Sequence, residues 1–262
     1  MNKRPLILVT NDDSIHAPGI KALTAFMRKI GDVVVVAPDK PHSGTGHSVT
    51  ILTPLSYKPL RKEPGYEEYS CTGTPADSVK MGLKVILNGR RPDLLVSGIN
   101  HGSNASVNIV YSGTVAATIE GAILNIPSIG FSLLDYASDA RFDHAEEYIQ
   151  DIALKVLENG LPEGICLNVN IPKMNHREIA GIQVCKQATG FWDEDYDART
   201  DPHGRPYFWI TGSFVNTDNR PDTDFHVLDN NYISVVPVKF DFTAHEAINP
   251  IKQWFNGGKS NS

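Results

Sequence analysis

Leu6-Ile7-Leu8-Val9 runs directly into Thr10-Asn11-Asp12-Asp13, and no other stretch restricts the possible folds as tightly. An unbroken apolar run leaves neither face of a strand for water, so it predicts a strand buried on both faces, as in a parallel sheet. A helical pattern follows. Ala17-Pro18-Gly19 opens it, Ile20, Leu23, Phe26, Met27 and Ile30 share one face, and Gly31 ends it. Val33 to Ala37 is a second buried run. Strand, helix and strand in this order predict a right-handed parallel crossover. Open α/β sheets bind ligands beyond the carboxyl ends of their strands, which is where Asn11, Asp12 and Asp13 fall. Two adjacent carboxylates repel unless a cation, a proton or donors relieve them. Either a hard divalent cation lies between them, or the three residues form a turn and cap the next helix.

The rest of the chain repeats the theme. Pro38 to Ser48 is a polar loop whose Gly44-Thr45-Gly46 lacks the third glycine of a dinucleotide loop, Val49 standing in its place. Ile51 to Leu60 and Tyr66 to Cys71 read as extended, an edge or a hairpin. Thr74-Pro75-Ala76-Asp77 is a helix start, with Val79, Leu83 and Ile86 on the buried side. Pro92 to Ser97 is a strand, followed by a loop from Gly98 to Tyr111. Ser112-Gly113-Thr114 opens a helix of small residues, and Pro127 to Leu133 is another strand. An amphipathic helix carries Phe142, Ala145, Ile149, Ile152 and Val156, and a strand spans Ile165 to Ile171. This alternation predicts an α/β fold with a mainly parallel sheet and a core over 1–172. The remainder, 173–262, reads as an arm, a last strand and a tail. Residues 178–215 predict a projecting hairpin with an aromatic load: Phe191, Trp192, Tyr196, Tyr207, Phe208 and Trp209. Tyr232 to Val238 is the last strand, and an irregular tail, without fixed structure at its Gly-Gly-Lys-Ser-Asn-Ser end, closes the chain.

Composition excludes some classes of function. A net charge of −6 argues against a nucleic-acid duplex as partner. No apolar run is long enough to span a bilayer, and the N-terminus lacks a secretory pattern. Cys71, Cys166 and Cys185 are odd in number and widely spaced, as expected of reduced thiols in a cytoplasmic protein.

Three polar groups follow buried strands: Asn11-Asp12-Asp13, the Ser43 loop, and Asn100 to Asn104. They supply carboxylates, a hydroxyl and amide oxygens, the hard ligands suited to Mg²⁺ or Mn²⁺. Ser112-Gly113-Thr114, at a helix N-terminus, adds free backbone N–H groups and two hydroxyls, an anion site. Together these suggest phosphate-ester chemistry.

In this light the chain resembles the SurE (survival protein E) nucleotidases. The resemblance rests on Thr10-Asn11-Asp12-Asp13 with Ala17-Pro18-Gly19-Ile20, Val36-Ala37-Pro38-Asp39 with Ser43-Gly44, and Gly73-Thr74-Pro75-Ala76-Asp77. Ser97-Gly98-Ile99-Asn100-His101-Gly102-Ser103-Asn104 and Tyr111-Ser112-Gly113-Thr114-Val115-Ala116-Ala117 complete it. It implies Rossmann-like subunits that form a homodimer or homotetramer and hydrolyse nucleoside monophosphates, at the 5′ and also the 3′ position, to nucleoside and phosphate. It also implies one divalent cation per subunit, held by Asp12, Asp13, Ser43 and Asn100. The phosphate would lie near Asn104, Ser112, Gly113 and Thr114, with Asn11 beside them. Asp241-Phe242-Thr243-Ala244-His245 resembles a C-terminal segment that shapes the family's assembly. Ser14 departs from the pattern, since many members have Gly there.

Asp12 and Asp13 are thus the expected catalytic residues, as ligands and with one assisting proton transfer to a metal-activated water. His16, His47 and His101 are either donors near the site or surface residues, and Glu120 reads as a helix-face residue. Other readings are an aspartyl-phosphate route, a receiver-like signalling domain and a nucleotide-binding module without hydrolytic activity. The first expects Asp-x-Asp spacing. The second expects an Asp where Ser97-Gly98-Ile99-Asn100 ends its strand.

Overall fold

The computed structural model describes residues 4–137, 139–173 and 178–256. In chain order its first half comprises β1 (Leu6–Thr10), α1 (Pro18–Ile30), β2 (Asp32–Pro38), β3 (Tyr57–Glu63), β4 (Tyr66–Cys71), α2 (Pro75–Met81), β5 (Leu94–His101) and α3 (Gly113–Ile123). Then come β6 (Ser128–Leu133), α4 (Glu146–Asn159), β7 (Ile165–Ile171), β8 (Ile182–Val184), β9 (Gly190–Thr200), β10 (Pro206–Asn216), α5 (Asp224–Asp229), β11 (Ile233–Lys239) and α6 (His245–Asn256).

One sheet of nine strands runs in the order β3-β4-β2-β1-β5-β6-β7-β11-β8. From β4 to β7 every neighbouring pair is parallel, while β3 and β11 run antiparallel to β4 and β7. The fold is α/β, as expected. From β1 the chain first builds outward through β2 and β4, then returns to β5 on the other side and continues to β6 and β7. The order therefore reverses between β1 and β5, and such a switch point opens a crevice at the carboxyl edge.

Side chains alternate across a strand, and both faces are dry. Ile7, Val9, Val33, Val35, Leu94 and Val96 pack with Leu23, Phe26 and Met27 of α1 and Ile149, Ile152 and Val156 of α4. Leu8, Val34, Val36 and Leu95 pack on the opposite face with Val79 and Ala117, from α2 and α3. Burial of each such side chain contributes about 1.5–3 kcal/mol, which is why unbroken apolar runs are needed here. α2 starts where expected. Thr74 Oγ1 accepts from the Asp77 amide, and the Asp77 carboxylate accepts from the Thr74 amide in return.

The structure departs from expectation in three places. Ile51 and Leu52 are exposed and not in a strand; the edge strand begins at Tyr57, where the chain first meets β4. The projecting hairpin is narrower than residues 178–215. Its strands β9 and β10 pair only with each other, whereas Ile182–Val184 pairs with β11 and extends the main sheet. Strands on both sides of residue 172 thus share one sheet. Finally, the tail expected to be irregular contains α6. The Asp241 carboxylate accepts from the Thr243 amide at 3.0 Å and pairs with His245 Nε2 at 3.0 Å, fixing the entry to that helix. Pro250 inside α6 hid its periodicity, since proline ordinarily breaks a helix interior. The Gly-Gly-Lys-Ser-Asn-Ser end lies outside the described residues.

Candidate active site

Asp12 sits just past the end of β1 and is 3% exposed. Its Oδ1 accepts a hydrogen bond from Thr114 Oγ1 at 2.6 Å, and the Thr114 backbone also bonds to the carboxylate. The N-terminus of α3 is therefore aimed at Asp12, where its dipole favours negative charge. Gly113 makes that approach possible. A Cβ at this position would lie 2.7 Å from Asp12 Cβ and 3.1 Å from Oδ2. Burial, and secondly the charge of Asp13, push the Asp12 carboxyl up to about 6. Asp13 is half-buried, and burial raises its carboxyl too.

The other loops converge on the pair through the backbone. The His101 amide donates to Asp13 Oδ2 at 3.4 Å, which seats the preceding Asn100 beside Asp13. Asn100 Nδ2 donates to Gly102 O at 2.9 Å, so its amide oxygen is the atom left to accept or to ligate. The His42 amide donates to Asp12 O at 2.8 Å and so brings in Ser43, which is exposed. Asn11 Nδ2 donates to Ser14 O, while Asn11 Oδ1 is buried without a partner. Ser14 itself has φ +91, in the region that favours glycine.

The expected phosphate contacts are already engaged within the protein. Ser112 caps α3, its Oγ accepting from the Val115 amide at 3.1 Å, and keeps its own hydroxyl proton. Thr114 gives its proton to Asp12. Asn104 donates from Nδ2 to Ser132 Oγ, and its backbone bonds to Asn170 and Asn168 in a buried amide network. The loop after Asn104 is fixed by Asp224, a fully buried carboxylate that accepts from the amides of Ser106, Ala188 and Phe225 at 2.8–2.9 Å. Trp192 Nε1, on β9, donates to Asn108 Oδ1 at 2.8 Å.

Of the three histidines, His16 is exposed and the His101 ring packs edge-on against Phe142. His47 bonds through Nε2 to Glu120 Oε1 at 2.7 Å. Glu120 is 5% exposed and also pairs with Lys80. Its burial was not foreseeable from the helical pattern alone, although its place among small residues on α3 is a hint.

A divalent cation fits this donor set. The charge of Asp13 raises the cost of ionising Asp12, a buried amide oxygen lies unpartnered at Asn11, and neutral oxygens are carried by Ser43 and Asn100, the neighbours in sequence of His42 and His101, whose amides bond Asp12 and Asp13. Among the described residues no group of three or more His, Cys, Asp or Glu forms a metal cluster. An oxygen-rich site with few charges matches a hard cation that retains water.

The family model described as survival protein SurE matches residues 7–194. The 5′-nucleotidase SurE of Christiangramia forsetii is 54% identical over 254 residues, covering 96% of this chain and 97% of that one. That of Flavobacterium psychrophilum is 53% identical over 252 residues, covering 96% and 98%. Among solved structures, the SurE protein from Aquifex aeolicus superposes with a TM-score of 0.82 at 39% identity, over 96% of this chain and 100% of that one.

Proposed function

This chain belongs to the survival protein SurE family, and from that premise we propose that it is a 5′-nucleotidase, splitting nucleoside monophosphates into nucleoside and phosphate. One observation carries the reading in the fold itself. A nearly buried Asp12 adjoins Asp13 at the switch point of the sheet and faces the first turn of α3. A receiver-like module would instead place an acid at the end of β5, where Asn100 and His101 stand, and the comparisons lend the non-hydrolytic alternative no support.

Asp12, Asp13, Ser43 and Asn100 would hold one divalent cation, Mg²⁺ or Mn²⁺. Once bound, it would lower the pKa of water and polarise a phosphoryl oxygen. Thr114 holds the Asp12 carboxylate in place. Asp13, the more exposed of the two acids, assists the proton of the attacking water. The Ser112 hydroxyl, the Gly113 and Thr114 positions at the helix end, Asn11 and the second amide hydrogen of Asn104 surround the phosphate. Hydrolysis at the 3′ position belongs to the same proposal, because the ester oxygen, not its place on the ribose, meets these groups.

We further assign residues 173–262 a role in assembly, as a homodimer or homotetramer. Phe191, Tyr196, Phe208, Trp209 and Ile210 of the hairpin are more than half exposed, as are Phe242, Trp254 and Phe255 at the C-terminal end. Such apolar surface marks contact sites. Among the described residues no helix is long and apolar enough to cross a membrane. The cysteines are buried and unpaired, which supports a cytoplasmic place of work.

The test is phosphate release from a panel of nucleoside 5′- and 3′-monophosphates with and without Mg²⁺ or Mn²⁺. Release from the 5′-monophosphates that depends on the cation is expected. Nucleotide binding without release would overturn the proposal.

A further inference from the structure

Glu120 is a carboxylate buried in the flank of α3, away from the Asp12 pair, with no part in the chemistry above. Burying such a charge is costly unless each oxygen is paired. Here each is: Oε1 takes His47 Nε2 at 2.7 Å, and Oε2 takes Lys80 of α2. The two partners differ in what they carry. Lys80 is part of a helix already fixed by its capping box. His47 belongs to the loop that follows β2, in which Gly44 has φ +71 and Gly46 has φ +55. Glycines in this region leave the loop backbone few restraints of its own.

The contacts form a closed ring. α3 presents Gly113 and Thr114 to Asp12. Asp12 O accepts from the His42 amide at 2.8 Å. The loop passes through Ser43, the Gly46 amide bonds to Tyr111 O at 3.0 Å, and His47 returns the chain to α3 at Glu120. Beyond His47, Thr74 Oγ1 bonds to Ser48 O and the Thr50 amide to the Asp77 carboxylate, tying the loop's far end to α2 instead.

We propose that Glu120 is a positioning residue which, through His47, sets the loop bearing Ser43 in register with Asp12. The metal-related part of this inference rests on the reading of Ser43 as a ligand. Placement of the loop does not.

The experiment compares His47→Ala, Glu120→Gln and Lys80→Met. Amide hydrogen exchange of residues 42–47 is followed in the metal-free protein, and Mn²⁺ binding is titrated by calorimetry. His47→Ala and Glu120→Gln should each speed exchange at the His42 and Gly46 amides and weaken Mn²⁺ binding by about tenfold, as for loss of one hydrogen bond to a charged group. Lys80→Met should lower Tm yet leave loop exchange and Mn²⁺ binding as in the parent protein. His47 is about one-third exposed, so its alanine variant retains the fold even if Glu120→Gln does not. Unchanged exchange in His47→Ala, or equal loosening in Lys80→Met, would overturn the proposal. Loosening with Mn²⁺ binding intact would support the placement of the loop and remove Ser43 from the ligand set.

Discussion

Thr114 Oγ1 donates to Asp12 Oδ1 at 2.6 Å, joining the first turn of α3 to the end of β1 across 102 residues of chain. The bond is buried at both ends. A helix end that would otherwise await an anion already faces one, so phosphate and Asp12 share the same electrostatic field.

Thr114→Val keeps the shape and removes that donor. A hydrogen bond to a charged group contributes about 1.5–3 kcal/mol, so kcat/KM should fall roughly tenfold or more. Steady-state kinetics on a nucleoside monophosphate measure this. Parent-like kinetics would reduce Thr114 to a packing residue.

The contribution of Asp12 to the stability of the metal-free fold should fall as pH rises. Asp12 has its carboxyl raised from the ordinary 3.8 to about 6, so the folded state holds its proton more tightly than the unfolded chain. The contribution is complete below about pH 4 and is lost as pH climbs through about 6; its size is on the order of 3 kcal/mol. Urea denaturation in a chelator from pH 4 to 7 should show the decline, and Asp12→Asn should flatten it. Parallel curves for the two proteins would refute the assignment.

Asp13→Asn should weaken Mn²⁺ binding more than Ser43→Ala does. The first removes Coulomb attraction, whereas water can refill the serine position. The readout is the rise in Tm on adding Mn²⁺, which reports binding to the native state. If Asp13→Asn kept both that rise and full turnover, Asn11-Asp12-Asp13 would be only a turn and cap.

Ser14→Gly should stabilise the protein. A side chain at φ +91 carries a strain that glycine avoids, worth about 1 kcal/mol, or about 2 °C in Tm. The opposing loss is small, because Ser14 Oγ accepts from the His16 amide only at 3.3 Å. A lower Tm in calorimetry would show that this bond outweighs the backbone strain.

The hairpin should hold subunits together. Tyr207, Phe208, Trp209 and Ile210 are all exposed in one run on β10. Phe208→Glu combined with Trp209→Glu should shift the protein to a smaller species in sedimentation at micromolar concentration. A parent protein that sediments as a monomer would end the claim.

Much of the sheet was legible because its strands are buried on both faces. Val33 to Ala37 reads as a buried strand by itself, whereas the reversal between β1 and β5 was not legible, because strand order is set by which strands pair in the folded sheet. What escaped was tertiary. Ile182–Val184 is too short to stand out, and only β11 makes it a strand. The six residues of α5 pass unnoticed, since so short a helix owes its stability to packing, with Val227 and Leu228 buried. In the candidate site, residue types and spacing singled out Asp12, Asp13 and Thr114, which the fold brings together. They could not say that the Thr114 hydroxyl donates to Asp12, because that depends on Gly113 letting the helix end close on the Asp12 side chain. Glu120 read only as a helix-face residue for the same reason: its partners lie 73 and 40 residues away.

Asp224 turns the root of the hairpin into a mooring. One carboxylate grips Ala188, just before β9, and Ser106, just after Asn104, while Trp192 is lashed to Asn108. A tug on the arm near its base is thus delivered to the Asn104 loop, whereas the tip around Asp201 to Arg205 is closed by its own hydrogen bonds. Shortening the arm from its tip should therefore be silent at the Asn104 loop. Cutting back as far as Ala188 should cast that loop adrift.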